Sequence, residues 1–185
     1  MATELLISHA EVLQRVDQIA RVIKTEVPNV DELILIGVLV GASTFIDYLT
    51  QALYTEGVDV TKDFVRYSSY GERTESTGFP MLVSDINPKT ATHIKGHSVI
   101  LGDDIWDTGH TLWAAKQRLK LLKPSFLGLT TLLSKPARHV ATLNEDLDID
   151  PRLVGFEIPD HFVFGEGIDK NGKHGRGAQG IWYEK

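Results

Sequence analysis

The sequence predicts an α/β fold in which a parallel sheet is flanked by helices. Three observations carry that expectation. Short, continuous apolar runs occur at 33–39, 97–101 and 126–133, a pattern of strands buried on both faces. Segments with helical periodicity lie between or before them. The chain has 185 residues, 42% of them hydrophobic and 24% charged, enough for one domain with a sizeable core.

Taken in order, residues 9–26 form an amphipathic helix, with Val12, Val16, Ile19 and Ile23 at i, i+4, i+7 and i+11. The strand at 33–39 runs into Gly41-Ala42-Ser43 and a second helix over about 43–55. Phe64-Val65-Arg66-Tyr67 reads as another strand. Residues 70–90 show no convincing periodicity, and a polar, glycine-punctuated stretch of this length in a small domain reads as a lid. The run 97–101 is a third strand. It ends in Gly102-Asp103-Asp104-Ile105-Trp106-Asp107-Thr108-Gly109-His110-Thr111. A helix follows with Leu112, Ala115, Leu119 and Leu122 on one face and basic residues at its end, where the helix dipole favours them; Pro124 stops it. The strand at 126–133 comes next, and 154–158 reads as a further strand. Six of the 16 glycines fall between Gly165 and Gly180, so the tail is loop-rich. No internal repeat and no linker divides the chain, which is read as one domain over 1–185.

Composition narrows the function. There is no cysteine, which excludes disulfides, thiolate metal sites and thiol nucleophiles. The net charge of −6 argues against nucleic acid or an anionic membrane as the main partner. The N-terminus lacks the basic start and apolar run of a signal peptide, and no apolar stretch reaches 18 residues, so the expected location is the cytoplasm and no membrane partner is expected.

Chemistry concentrates at 102–111. Ligands of open parallel sheets bind beyond the C-terminal ends of the strands, and a helix N-terminus offers free amides to an anion. Thr108, Gly109, His110 and Thr111 supply a turn, two hydroxyls and several amides, a cradle for a phosphate group. Asp103, Asp104 and Asp107 would repel that phosphate unless they hold sugar hydroxyls or Mg²⁺, or take a proton. A phosphorylated sugar meets both demands. The plainer reading is an acidic loop that caps a helix through Asp107 or Thr108.

The order apolar strand, two acids, two apolar residues, Asp-Thr-Gly-x-Thr resembles the diphosphate-sugar signature of the type I phosphoribosyltransferases. Val38-Leu39-Val40-Gly41-Ala42 resembles their pyrophosphate turn, where a non-proline cis peptide is common. Arg66 to Gly71 with Ser76-Thr77-Gly78 resembles their lid. Val154 to Asp160 with Phe162 and Val163 resembles the purine-side segment of the hypoxanthine-guanine branch.

The resemblance implies a type I phosphoribosyltransferase core with a small hood, built mainly from the N-terminal segment and about 135–185. It implies transfer of 5-phosphoribose from phosphoribosyl pyrophosphate (PRPP) to a 6-oxopurine, giving IMP or GMP and pyrophosphate, with Mg²⁺. Asp103 and Asp104 would hold the ribose hydroxyls and help place the metal, and Asp169 would be a further metal ligand on the purine side. Asp107 would be the general base and border the 5′-phosphate loop of Thr108, Gly109, His110 and Thr111. His110 stands where relatives often have lysine. Leu39, Val40 and Arg176 would meet pyrophosphate, and Ser69 and Tyr70 would belong to the lid. Lys135 would contact the 6-oxo group, with Phe162 stacked on the base and Val163 touching it through its backbone. The family forms dimers and tetramers, so a homo-oligomer is expected.

Two alternatives stay open at this stage. One is a xanthine- or guanine-preferring relative; the other is a PRPP-sensing, nucleic-acid-binding regulator of the same fold. The literal G-x-G-x-x-G at 175–180 has only five residues after it, too few for a dinucleotide-binding helix. His93 and His97 have i, i+4 spacing, but Gly96 and the following strand argue against one helix carrying both.

Overall fold

The computed structural model describes residues 2–68, 80–170, 172 and 174–185. The lid residues Ser69 and Tyr70, and the motif Ser76-Thr77-Gly78, lie outside the described residues.

The chain runs β1 (Thr3–Ile7), α1 (His9–Glu26), β2 (Ile34–Leu39), α2 (Ala42–Thr55), β3 (Thr61–Ser68), β4 (Met81–Ser84), α3 (Pro88–Ile94), β5 (Ser98–Trp106), α4 (His110–Lys120), β6 (Phe126–Ser134), α5 (Ala141–Leu147), β7 (Val154–Glu157), β8 (Val163–Phe164) and β9 (Ile181–Glu184). The main sheet has the order β4-β3-β2-β5-β6-β7. Its pairings are parallel except β3 with β4, which is antiparallel. A separate antiparallel sheet, β1-β9-β8, joins the two ends of the chain.

Strand alternation sorts the apolar runs onto two faces. Leu35, Ile100 and Leu132 face α1 and α2, where they meet Val16, Ile19, Phe45 and Leu49. Ile34, Ile36, Val38, Val99 and Leu101 face the other layer, with Ile94 of α3, Leu112 and Leu119 of α4, and Leu147 of α5. Leu49 is fully buried, so Leu49→Ala would cost about 2–5 kcal/mol. Helix α1 starts as the sequence predicts. Ser8 accepts from the Glu11 amide, and Glu11 reaches back to the Ser8 amide at 2.8 Å, a capping box.

Three expectations change. The stretch 70–90 was expected to be without regular structure, yet it holds β4 and the start of α3. Asn87 caps α3 by accepting from the Lys89 amide, and Pro88 sits in its first turn. Both elements are too short to show a period. The segment 135–185 does not form a hood as a whole: α5 lies in a core layer and β7 extends the main sheet, and only β8 and β9 join β1. Helix α1 likewise packs on the main sheet, so only β1 of the N-terminal segment enters the small sheet.

From β2 the chain moves outward to β3, and from β5 it moves the other way to β6. The C-terminal ends of β2 and β5 therefore flank the crevice where open α/β sheets bind ligands.

Candidate active site

Two adjoining clefts open at that crevice. The first, about 270 Å³, is lined by the turn after β2 (Leu39, Val40, Gly41), by Asp103 and Asp104, by Asp107, Thr108, Gly109 and Thr111, and by Asp169 and Arg176. The second, about 950 Å³, is lined by Lys135, Arg138, Asp160, Phe162, Val163 and Ile168. Asp104, Ile105, Asp107 and Asp169 border both. The residues singled out from the sequence thus gather in one place, except His110 and the lid residues Ser69 and Tyr70, the latter two lying outside the described residues. His110 does not line either cleft; its Nδ1 lies 3.0 Å from the Thr108 hydroxyl.

Strand β5 delivers the two acids. Its first six residues are buried, so Asp103 enters the site at 6% exposure. The Asp104 amide donates to Asp103 Oδ1 at 2.9 Å, and the Ile105 amide donates to Asp104 Oδ1 at 2.9 Å. Burial, and then the neighbouring Asp104 carboxylate, push the Asp103 carboxyl well above the usual carboxylate range. Burial also raises Asp104, against the pull of its backbone donors and of Arg176. Such a pair calls for a cation or for sugar hydroxyls to share its charge.

The helix-capping reading of the loop fails. The N-cap of α4 is Gly109, at φ 95°, and no side chain caps the helix. Asp107 turns instead to Arg138, whose Nε donates to Asp107 Oδ1 at 2.7 Å. The amide end of α4 is left facing the first cleft beside Thr108 and Thr111.

The turn after β2 is shaped by Asp104. The Leu39–Val40 peptide is cis. A Cβ on Gly41 would lie 1.7 Å from Asp104 Oδ2, so only glycine lets the carboxylate come this close. Arg176 reaches the same cleft and donates to the Gly167 carbonyl at 2.7 Å and to Asp169 Oδ1 at 2.5 Å. The Gly172 amide also donates to Asp169.

On the other side, the Lys135 amide donates to the Trp106 carbonyl at 2.9 Å, which fixes Lys135 beside the acidic loop. Its Nζ lies 3.6 Å from Asp160 Oδ1 and its side chain is 10% exposed. Arg138 Nη1 lies 3.6 Å from Asp160 Oδ2. The charges therefore alternate along Asp107, Arg138, Asp160 and Lys135. Phe162 is 52% exposed on the cleft wall, whereas Val163 is buried. Trp106 stacks on His139 at 3.8 Å, behind the loop.

Arg138 and Glu166 were not singled out from the sequence. Arg138 is one arginine after a proline, and nothing local marks its reach to Asp107. Glu166 is 2% exposed between two glycines, where only the fold shows its partners.

Mg²⁺ usually keeps waters and takes only one or two carboxylates along with substrate oxygens. No cluster of three or more His, Asp or Glu forms a self-sufficient metal site among the described residues. The buried, mutually repelling Asp103–Asp104 pair fits the more open arrangement.

Comparison with known proteins identifies the family and the fold. Residues 3–170 match the phosphoribosyl transferase domain model. The chain is 33% identical over 167 residues to the hypoxanthine phosphoribosyltransferase of Salmonella typhimurium, covering 90% of this chain and 86% of that protein. It is 32% identical over 179 residues to the hypoxanthine-guanine phosphoribosyltransferase of Aquifex aeolicus, covering 97% and 93%. A crystal structure of a hypoxanthine-guanine phosphoribosyltransferase from Bacillus anthracis, with a HEPES molecule in its active site, matches at TM-score 0.82 and 35% identity over 98% of both chains. By sequence and by fold, this chain belongs to the phosphoribosyltransferase family, in its hypoxanthine-guanine branch.

Proposed function

We propose that the protein is a purine salvage enzyme that transfers 5-phosphoribose from PRPP to hypoxanthine or guanine, releasing pyrophosphate. The observation that carries this reading is the meeting of two clefts at Asp104, Asp107 and Asp169. One has the acids and open helix end suited to a phosphorylated sugar; the other has an apolar wall and a lysine suited to an oxopurine.

In this reading the 5′-phosphate rests on the amides of Thr108 to Thr111, and the ribose hydroxyls bind Asp103 and Asp104. Leu39, Val40 and Arg176 border the pyrophosphate. Asp103 and Asp104 on one side of the cleft and Asp169 on the other are the residues that would hold Mg²⁺ with substrate oxygens and water, and the metal would supply positive charge where the pyrophosphate departs. The bond from C1′ to the pyrophosphate oxygen breaks as the bond from a purine nitrogen to C1′ forms. The proton released by the purine passes to Asp107. Lys135 donates to the 6-oxo group, which favours hypoxanthine and guanine over adenine, whose 6-amino group is itself a donor. Phe162, exposed on the cleft wall, is free to stack on the base. The reading includes a lid containing Ser69 and Tyr70, a hood formed by the small sheet, a cytoplasmic location and a homo-oligomer. The apolar, exposed Met81, Leu82 and Val83 of β4 support a face covered by a second copy.

Asp107→Asn tests the assignment. The variant should bind PRPP with Mg²⁺ as the wild type does and turn over about 10²-fold slower or worse. Loss of PRPP binding together with turnover would contradict a base role for Asp107.

A further inference from the structure

Between the small sheet formed by the two chain ends and the first cleft lies a buried carboxylate. Glu166 is 2% exposed. Its Oε1 accepts from His9 Nδ1 at 2.8 Å and from the Gly180 amide at 2.5 Å; its Oε2 accepts from the Tyr48 hydroxyl at 2.9 Å. The donors come from three places: the first residue of α1, the middle of α2 and the residue before β9. Among the described residues no lysine or arginine pairs with it, so these three donors hold the carboxylate. Burial, then the bond to Glu166, push the Tyr48 hydroxyl up to about 12, so Tyr48 stays a donor at neutral pH.

The next residue approaches the turn that lines the first cleft. A Cβ on Gly167 would lie 2.5 Å from the Gly41 carbonyl and 2.7 Å from the Thr44 hydroxyl, so the 165–168 turn presses directly on the turn after β2. That turn closes on itself through Gly165 and Ile168, each amide donating to the other's carbonyl. The Gly167 carbonyl accepts from Arg176, whose other nitrogen holds Asp169. The backbone of the segment also bonds to 176–178, through the Glu166 amide to the Ala178 carbonyl and the Gly167 amide to the Arg176 carbonyl, and the Glu166 side chain ties it to the frame of α1, α2 and the start of β9.

We propose that Glu166 is a positioning residue for PRPP, seating the 165–169 segment on the Leu39–Gly41 turn so that the small sheet sets the affinity for the pyrophosphate end of the substrate. This rests on the reading of the first cleft as the PRPP site. The purine cleft shares Ile168 and Asp169 with the seated segment, but its Lys135 is held separately, through the Trp106 carbonyl, and neither the Leu39–Gly41 turn nor Arg176 lines it.

The test is calorimetric binding of PRPP with Mg²⁺, alongside steady-state rates with PRPP and hypoxanthine varied separately. Glu166→Gln keeps the shape but turns an amide donor toward groups that themselves donate. It should weaken PRPP binding and raise KM for PRPP about tenfold, with a clearly smaller rise, about threefold or less, in KM for hypoxanthine, whose cleft shares only Ile168 and Asp169 with the segment. A merely structural role predicts the opposite pattern: kcat falling with the folded fraction while both KM values stay put. That result overturns the proposal, as does an equal rise in both KM values. Should Glu166→Gln fail to fold, Tyr48→Phe removes one donor of three, and a two- to threefold rise in KM for PRPP, larger than any rise for hypoxanthine, is expected; unchanged PRPP affinity overturns the proposal. A wild type that binds no PRPP refutes the cleft reading itself and is recognised before any variant is compared.

Discussion

Gly41→Ala turns a small change into a large one. Gly41 has φ −60° and ψ −42°, helical values that alanine adopts without strain, so the backbone offers no objection. The obstacle is Asp104. A Cβ at 1.7 Å from Oδ2 and 2.6 Å from Cγ forces the carboxylate to retreat by more than about 1 Å. Misplacing a reacting group by about 1 Å can cost on the order of 10²-fold, or about 2.7 kcal/mol of transition-state stabilisation. Gly41→Ala should therefore lower kcat/KM for PRPP about 100-fold while leaving the melting temperature close to that of wild type. Initial rates over a PRPP series and thermal unfolding measure the two effects. Gly177→Ala is the control: nothing lies within 4 Å of its added Cβ, and its rates should stay within about twofold of wild type. A Gly41→Ala variant with wild-type kcat/KM would refute the idea that Asp104 works from this position.

Other outcomes follow from the same geometry. Asp103 has a folded-state pKa held above its unfolded value by burial and by Asp104, so its contribution to stability is full below the unfolded pKa and is lost as pH rises through the folded one. With EDTA present, Asp103→Asn should lose that decline and unfold at a higher temperature than wild type at pH 8, with the difference shrinking toward pH 4, yet be inactive; urea or thermal unfolding across pH measures it, and a variant less stable at pH 8 than at pH 4, relative to wild type, would contradict the sign. Arg138→Gln should leave the unfolding temperature close to that of wild type, because the pair with Asp107 is half-exposed, at 44% and 42%, and screened by solvent. It should still lower kcat about tenfold by freeing Asp107 to turn away, with KM for PRPP unchanged in the same rate assay. Lys135→Gln should raise KM for hypoxanthine and guanine at least tenfold and narrow the preference over adenine, as a competition assay would show.

Much of the site was legible because it is local. The acids, the turn and the helix start occupy ten consecutive residues, the end of β5, the 107–109 turn and the first residues of α4. Helix α1 was legible because 18 residues give its apolar stripe five turns to repeat. What was missed depends on distance in sequence. Strand β1 has one buried residue, Ile7, and pairs with β9 across nearly the whole chain. Helix α5 has seven residues, with only Leu143 and Leu147 buried. Arg138 reaches Asp107 across 31 positions, and Glu166 meets His9 across 157. Arg176 was placed from resemblance alone; nothing local in the sequence marks its contact with Asp169, seven positions away.

The central claim meets its most direct test in an assay of the wild-type protein with PRPP, Mg²⁺ and, in separate reactions, hypoxanthine, guanine, xanthine and adenine, following nucleotide and pyrophosphate together. The account predicts stoichiometric formation of IMP or GMP and pyrophosphate from the first two bases, dependent on Mg²⁺, and no product from adenine. Protein that binds PRPP but turns over none of the four bases would contradict it and favour a PRPP-sensing role for the same cleft.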